Sequence, residues 1–256
     1  MSARRPEPAS NRERRPEPAS SRERRTEPAP SRERRTEPAP SRERRPEPAS
    51  NRERILVEAA RLFARRGYHA TTTRQIAQAV GIRQPSLFHH FPSKHAIVQE
   101  ILRSDLDEAV PAAQILASGP GPASVRLYRY VRHDVEHLIG SPYDLRGMYS
   151  EEVMGDPQFA AWNEKRIRLH AVVEQIVKDG VASGVFLPID TALAREAIAG
   201  ILIRALTLYS GGRTGASARF GDEIASLVLR GLLAEPTALE GVRRDAQVGH
   251  KERTDR

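Results

Sequence analysis

The segment TTTRQIAQAVGIRQPSLFHHFPSK, at positions 71–94, constrains the fold of this chain more than any other. Thr72 and Thr73 each offer an N-cap for a short amphipathic helix. Gly81 follows at the turn, where glycine takes a positive φ without steric cost. Pro85 then opens a second helix, because proline suits the first turn of a helix and disfavours helical geometry in the residue before it. This layout predicts a helix-turn-helix, which places its second helix in the major groove of DNA.

The sequence on either side of the motif supplies a hydrophobic core for it. Residues 51–68 carry apolar side chains at helical spacing, with Gly67 at the position of a left-handed C-cap. Ser93 caps the helix that follows. The side chains expected to face inward are Ile55, Leu56, Ala59, Ala60, Leu62, Phe63, Ile76, Ala77, Val80, Ile82, Leu87, Phe91, Ile97, Val98, Ile101, Leu102 and Leu106. We therefore predict a three-helix DNA-binding domain over residues 51–108.

The outward side chains of the motif have the chemistry of DNA recognition. Glutamine can form two hydrogen bonds with adenine, arginine can form two with guanine, and a proline ring can contact a thymine methyl group. Hydroxyl, imidazole and ammonium groups suit phosphate oxygens. The predicted DNA-binding residues are Thr72, Thr73, Arg74, Arg83, Gln84, Pro85, Ser86, Phe88, His89, His90 and Lys94.

Two other uses of the same histidines are weaker. His89 and His90 are adjacent on a helix, point about 100° apart and cannot chelate one metal ion together, and neither a cysteine nor an HExxH motif is present. Ser86 and His89 could form a nucleophile and base, but the G-x-S-x-G elbow of such enzymes is missing. No metal site is predicted here.

The motif and its flanks resemble the DNA-binding domain of the TetR family of bacterial repressors. The matching runs are ILVEAARLFARRGY, TTTRQIAQAVGI and PSLFHHFPSK. The resemblance implies an all-helical ligand-binding and dimerisation domain after the DNA-binding domain. Two positions depart from the family pattern. Phe88 stands where the family usually has tyrosine, and Arg83 often corresponds to a small or capping residue.

Composition separates the N-terminal tail from the rest of the chain. Residues 4–53 are five copies of a decapeptide, such as RRPEPASNRE, and each copy carries three arginines and two glutamates. The array therefore supplies +5 of the formal net charge of +8. The unit has no apolar side chain larger than alanine and is rich in proline, so we expect residues 1–50 to be disordered.

Three interpretations of this tail remain open. It can be a tolerated duplication of the segment that leads into the first helix. Its arginines can add non-specific affinity for DNA, although the glutamates leave a gain of only one charge per copy. A specific protein partner is the third interpretation.

Residues 109–235 predict a second helical domain. Helical stretches are expected at 123–139, 157–181, 191–209 and 222–233, separated by glycine- and proline-containing breaks. The GGRTG run at 211–215 lacks the lysine and the spacing of a phosphate-binding loop, so it is interpreted as a loop. Residues 236–256 are expected to be a disordered C-terminal tail. No catalytic or cofactor motif is recognisable, and no cofactor is predicted.

Two sets of side chains in this domain are candidates for binding. Large adaptable and aromatic residues, with histidines and an arginine at four-residue spacing, suggest a pocket for a small-molecule effector. These residues are His133, His137, Met148, Tyr149, Phe159, Trp162, Arg166 and His170. The last two helices are apolar on most sides, which suggests burial against a second copy. The predicted dimer residues are Ile198, Ile201, Leu202, Ala205, Leu206, Tyr209, Leu227 and Leu232.

These features predict an all-α, homodimeric, ligand-responsive repressor that binds a near-palindromic double-stranded operator. No run of about 18 apolar residues and no secretory leader are found, so a cytoplasmic protein without a membrane partner is expected. Two alternatives come from other classes. An enzyme could use the region of His133, His137 and Glu151, and an architectural protein could bind DNA through the arginine-rich tail without sequence preference.

Overall fold

The structure is a computed structural model that describes the backbone of residues 50–209 and 216–254. Within these ranges the regular structure is helical, and Phe186 and Leu233 form an isolated antiparallel bridge. The ten α-helices of the described residues are α1 Asn51–Arg66, α2 Thr73–Val80, α3 Gln84–His90, α4 Lys94–Ala117, α5 Ala123–Gly140, α6 Glu151–Met154, α7 Ala160–Ala182, α8 Thr191–Leu208, α9 Ala216–Leu232 and α10 Leu239–Thr254. The predicted all-α fold is confirmed.

The first two helices begin at capping boxes. The Ser50 hydroxyl accepts from the amide of Glu53 at 3.2 Å, and the Ser50 amide donates to the Glu53 carboxylate at 2.8 Å. Thr72 and Gln75 make the same reciprocal pair at the start of α2. Each box satisfies amides that the first turn of a helix leaves without partners.

The turn between α2 and α3 has the geometry that the sequence predicts. Gly81 has φ of 77° and ψ of 31°, in the left-handed region, and its amide donates to the carbonyls of Ala77 and Gln78. The α3 side chain of Leu87 and the following Phe91 are buried. Because α2 and α3 both pack inward from this turn, the outer face of α3 is left to solvent.

The predicted boundary at residue 108 lies inside a helix. Helix α4 runs without interruption from Lys94 to Ala117, with Ile97 and Ile101 in the DNA-binding domain and Ala113 in the larger domain all buried. The boundary at 108 therefore divides a continuous helix, because the apolar stripe of α4 continues past it. The two domains share this helix, and displacement of α4 would move both.

Helix α5 is the centre of the larger domain. It packs against α4, α7, α8, α9 and α10, and buries ten of its residues. Gly180 on α7 allows the Phe186 ring to approach closely, since a Cβ atom there would lie 2.0 Å from the ring. The bend that carries Phe186 is held to the end of α9 through Leu187 N to Leu232 O at 2.8 Å.

The C-terminal segment is a helix rather than the disordered tail expected at 236–256. Helix α10 buries Leu239, Val242 and Ala246, and the Arg129 guanidinium donates to the carbonyls of Ala246 and Asp245 at 3.2 and 2.6 Å. The apolar stripe is sparse, at three positions in two turns, and most other residues are charged or small. Packing against α5 therefore stabilises a helix that is hard to predict from its own sequence.

Two expectations lie outside the described residues, namely the disorder of residues 1–49 and the loop at 211–215. In the part of the chain that is described, none of the helices has the length and apolarity needed to cross a bilayer.

Candidate DNA-reading surface and effector cavity

The outer face of α3 presents a row of exposed side chains. Arg83 precedes the helix, and the exposed residues on and beside it are Arg83, Pro85, Ser86, Phe88, His89 and His90. Phe88 is 43% exposed, which is high for a large apolar side chain. Six of the predicted DNA-binding residues are thus exposed on or next to α3.

Helix α2 supports this surface at its N-terminus. The Gln84 side-chain amide donates to the Thr73 hydroxyl at 3.0 Å, which fixes Gln84 at the junction of the two helices. Its amide oxygen and second N–H stay available for an adenine edge, which needs one acceptor and one donor. Thr72 and Arg74 are exposed beside it.

Lys94 lies at the start of α4 but its ammonium group points into the protein. It donates to the carbonyls of Tyr68 and Thr71 at 2.6 and 2.8 Å, and lies 4.1 Å from the centre of the Tyr68 ring. Burial lowers the pKa of Lys94, and the charge of Glu152 partly offsets that effect. In this conformation Lys94 joins α4 to the loop between α1 and α2, so the proposed phosphate contact requires it to exchange these carbonyls for phosphate.

A cavity lies between α4, α5, α7 and α8 in the larger domain. It is narrow, with a volume of about 30 Å³. Its walls are mainly apolar, with six side chains that can form hydrogen bonds. The lining residues are Ala109, Tyr130, Asp134, Leu138, Tyr149, Arg166, Leu169, His170, Val173, Arg195, Ile198, Ala199, Leu202 and Ile203.

An acidic cluster borders the cavity on the α4 and α5 side. The Tyr149 hydroxyl donates to one oxygen of Asp105 at 2.5 Å, and His137 Nε2 lies 2.9 Å from the other. The hydrogen bond with Asp105 raises the pKa of His137. Asp134 is buried beside this cluster, where desolvation and then the charge of Asp105 raise its pKa to about 7. A buried carboxyl of this kind titrates near neutral pH.

A basic group borders the cavity on the α7 and α8 side. Arg166 and His170 lie one turn apart on α7, and Arg195 lies near the start of α8. Burial lowers the pKa of His170, and the charge of Arg166 lowers it further. The lowered pKa favours the neutral form of the imidazole.

The predicted effector residues divide between the cavity and other places. Tyr149, Arg166 and His170 line it. Met148 is buried, Trp162 is half-buried, and neither lines the cavity. Of the remaining three, His133 is exposed and His137 binds Asp105. The centre of the Phe159 ring lies 5.5 Å from that of Tyr68 and 4.6 Å from that of His95. Phe159 therefore joins the two domains, because Tyr68 and His95 belong to the DNA-binding side.

Sequence reasoning missed Tyr130, Asp134 and Arg195. Asp134 had a visible signal, because it occupies a position in the otherwise apolar stripe of α5 that includes Val131, Val135 and Leu138. Arg195 had none, since charged residues are common near the start of a surface helix. Ile198 and Leu202 were assigned to the dimer interface, but both line the cavity.

The predicted dimer residues also divide into two groups. Ile198, Leu202, Ala205 and Leu232 are buried within the single chain, Ile201, Leu206 and Tyr209 are half-buried, and Leu227 is 58% exposed. Further exposed apolar side chains on α8 are Leu193 and Leu208, at 63% and 58%. Of the eight predicted dimer residues, Leu227 is therefore the one that is exposed in the single chain. The sequence does not show this, because an all-round apolar helix does not reveal which side meets its own domain.

The two domains each match a known sequence family. Residues 55–101 match the model for bacterial regulatory proteins of the tetR family. Residues 120–232 match the tetracyclin repressor-like C-terminal domain. These matches cover the helix-turn-helix and, apart from Ala109, the residues that line the cavity.

Relatives and solved structures agree with these matches. The HTH-type transcriptional repressor KstR2 of Rhodococcus jostii is 33% identical over 179 residues, 68% of this chain and 87% of that protein. The structure of KstR2 of Mycobacterium tuberculosis has a TM-score of 0.62 and 26% identity, over 73% of this chain and 97% of that one. AmtR of Mycobacterium smegmatis has a TM-score of 0.62 and 28% identity, over 80% and 97%. The chain therefore belongs to the TetR family of bacterial transcriptional regulators, which are DNA-binding proteins and not enzymes.

Proposed function

We propose that this protein is a homodimeric repressor that binds a near-palindromic operator and leaves it when a small molecule enters the cavity. The observation that carries the proposal is the outer face of α3. Arg83 and Ser86 are exposed there, and Gln84 is half-buried beside them with one amide hydrogen bonded to Thr73. One such helix makes few base contacts, so tight specific binding requires two copies.

The outer faces of α8 and α9 support the dimer. Leu193, Leu208 and Leu227 are each more than half exposed on these two helices. Because α8 and α9 are in contact, exposed large apolar side chains on both helices support an interaction surface there. Two helices from each copy would form a four-helix interface in which these leucines are buried.

The size of the cavity supports a change of shape on effector binding. Sites for small molecules usually measure about 300–1,000 Å³, whereas this cavity has about 30 Å³. An effector must therefore move the walls, and it can shift the protein toward a second state only if it binds that state more tightly. The narrow form then corresponds to the state with the higher affinity for DNA.

The segment of residues 145–154 connects the cavity to the DNA-binding domain. Tyr149 lines the cavity in the middle of this segment. Gly147, two residues earlier, packs so closely on the end of α1 that a Cβ atom would lie 2.7 Å from the backbone of Phe63. Glu152, three residues later, accepts from the amide of His69 at 3.2 Å. An effector that displaces Tyr149 would thus act on α1 through Gly147 and on the loop after α1 through Glu152.

A binding competition tests the proposed function. The full-length protein is titrated into labelled DNA from upstream of its own gene, at physiological salt, against unlabelled copies of the same DNA or of shuffled DNA. We expect the native sequence to compete at least about a hundredfold better, because specific affinities exceed non-specific ones by roughly 10³–10⁷. Equal competition by both DNAs would instead indicate an architectural protein that binds through charge.

A further inference from the structure

Arg166 is a cation on the cavity wall without an anionic partner. Its Nε and Nη2 atoms both donate to the side-chain oxygen of Asn163, at 3.2 and 2.9 Å. That amide is neutral, and no carboxylate in the described residues lies within ion-pair distance of Arg166. Arg195, on the same wall, is by contrast paired with Glu174 at 2.8 Å. Arg166 is half-buried, and its guanidinium keeps N–H donors that can bind an anion.

Arg195 adds a buried donor to the same wall. Its Nη1 and Nη2 atoms bind Glu174 and Glu196, each at 2.8 Å. Its Nε atom is buried and has no acceptor in the described residues. A buried N–H without an acceptor is unfavourable, so a ligand oxygen that accepts from it is bound more tightly.

The two sides of the cavity carry different charged groups. The pKa of His170 is shifted by burial and by the charges of Arg166, Glu196 and Arg195, whereas the pKa of Asp134 is shifted by burial and by Asp105 and His137. The remaining lining is apolar, and comes from α5, α7 and α8. These apolar residues include Leu138, Leu169, Val173, Ile198 and Leu202.

We infer that the effector is an amphiphilic acid, with an anionic head group held by Arg166 and Arg195 Nε and an apolar body between α5, α7 and α8. This inference rests on the proposed function, because it names the ligand of the same cavity. The neutral imidazole of His170 donates a further hydrogen bond to the anion. Asp134 disfavours an anion only when its carboxyl is ionised. It lies on the α5 side of the cavity, beside Asp105 and His137.

The test compares probes that differ only in the head group. Decanoate, decan-1-ol and decan-1-amine form one set, and 4-butylcyclohexanecarboxylate with its matching alcohol and amine forms another with a bulkier body. Binding to the full-length protein is measured by calorimetry in the absence of DNA. We expect an acid to bind at least about tenfold tighter than its alcohol, since hydrogen bonds between charged groups are stronger than those to a neutral hydroxyl.

Variants assign the effect to the cavity. Arg166→Gln should reduce the affinity for the acid about tenfold and leave that for the alcohol unchanged, while Arg166→Lys should retain most of it. The matched control is Arg168→Gln, which removes an exposed arginine from the same helix that does not line the cavity. Tighter binding of an amine, equal binding of acid and alcohol, equal losses in the two glutamine variants, or no binding of either acid would each overturn the inference. Because DNA is absent, a failure here is separate from a failure to select an operator.

Discussion

Gln84 is the residue with the most direct predicted effect on sequence selectivity. It lies at the start of α3, and its side-chain amide donates a hydrogen bond to the Thr73 hydroxyl. We expect Gln84→Ala to cost about 1–3 kcal/mol for the native operator and to relax the preference at one base pair. Binding to operators carrying each single substitution measures this. The control is Gln114→Ala, an exposed glutamine near the far end of α4. An unchanged preference at every base pair would exclude Gln84 as a base-reading residue.

Asp134 gives the stability of the protein a distinctive dependence on pH. Its pKa is 3.8 in an unfolded chain and about 7 in the folded state. The folded state therefore binds more protons over this interval, and Asp134 destabilises the fold increasingly as pH rises from 3.8 to about 7. We expect Asp134→Asn to raise the unfolding temperature most at pH values above 7. This gain should shrink steadily as pH falls toward 5, in thermal denaturation at several pH values. A gain that does not change with pH would contradict the raised pKa.

Single residues differ in how well the sequence reveals their roles. Gly81 and Pro85 were predictable, because each satisfies a local backbone requirement. Lys94 was not, because its partners are carbonyls of residues 68 and 71, which come close only after α1 and α4 have packed. The role of Arg195 could not be predicted for the same reason, since it depends on the packing of α8 against the cavity. The roles of Lys94 and Arg195 therefore depend on tertiary contacts, which the local sequence pattern does not reveal.

At the scale of helices, α8 and α9 carry the surface that we propose for dimerisation. Leu227→Glu should shift the protein to monomers, because it places a carboxylate within an apolar interface. The fold should be retained, since Leu227 is 58% exposed in the single chain. Ile167→Glu is the control, because Ile167 is 55% exposed on α7. Sedimentation velocity measures both variants, and a fully dimeric Leu227→Glu protein would place the interface elsewhere. Leu202 is unsuitable for this test because it is buried within the chain.

The close approach of the 145–147 turn to α1 should be sensitive to a single methyl group. In Gly147→Ala the new Cβ atom would lie 2.7 Å from backbone atoms of Phe63 and Ala64, so the turn must shift. We expect a loss of about 1–3 kcal/mol in the free energy of unfolding. Gly140→Ala is the control, since nothing lies within 4 Å of a Cβ atom there. Equal stability of the two variants, measured by chemical denaturation, would show that the turn is not closely packed on α1.

Helices with strong local signals were the most predictable elements. The capping box of α1 is visible in the sequence as Ser50 and Glu53, at the end of the last decapeptide copy. Proline and glycine breaks likewise placed α5 and α7 close to their observed bounds. Helix α10 was missed because only Leu239, Val242 and Ala246 of its described side chains are buried, and these contribute little until α5 is in place. Its stability is a property of the assembled domain.

At the scale of the whole molecule, the central claim is that two copies of α3 bind one operator together. Their centres should lie about 34–36 Å apart, one turn of DNA, or a multiple of it. An operator is selected from a random library with the full-length protein, and its two half-sites are then separated by inserting about half a helical turn, roughly 5 base pairs. The measurement is the affinity for both DNAs at the same salt concentration. We predict that the insertion reduces affinity to nearly the non-specific level, because the second half-site moves to the opposite face of the DNA. An unchanged affinity would mean that each copy binds alone, and would contradict the account.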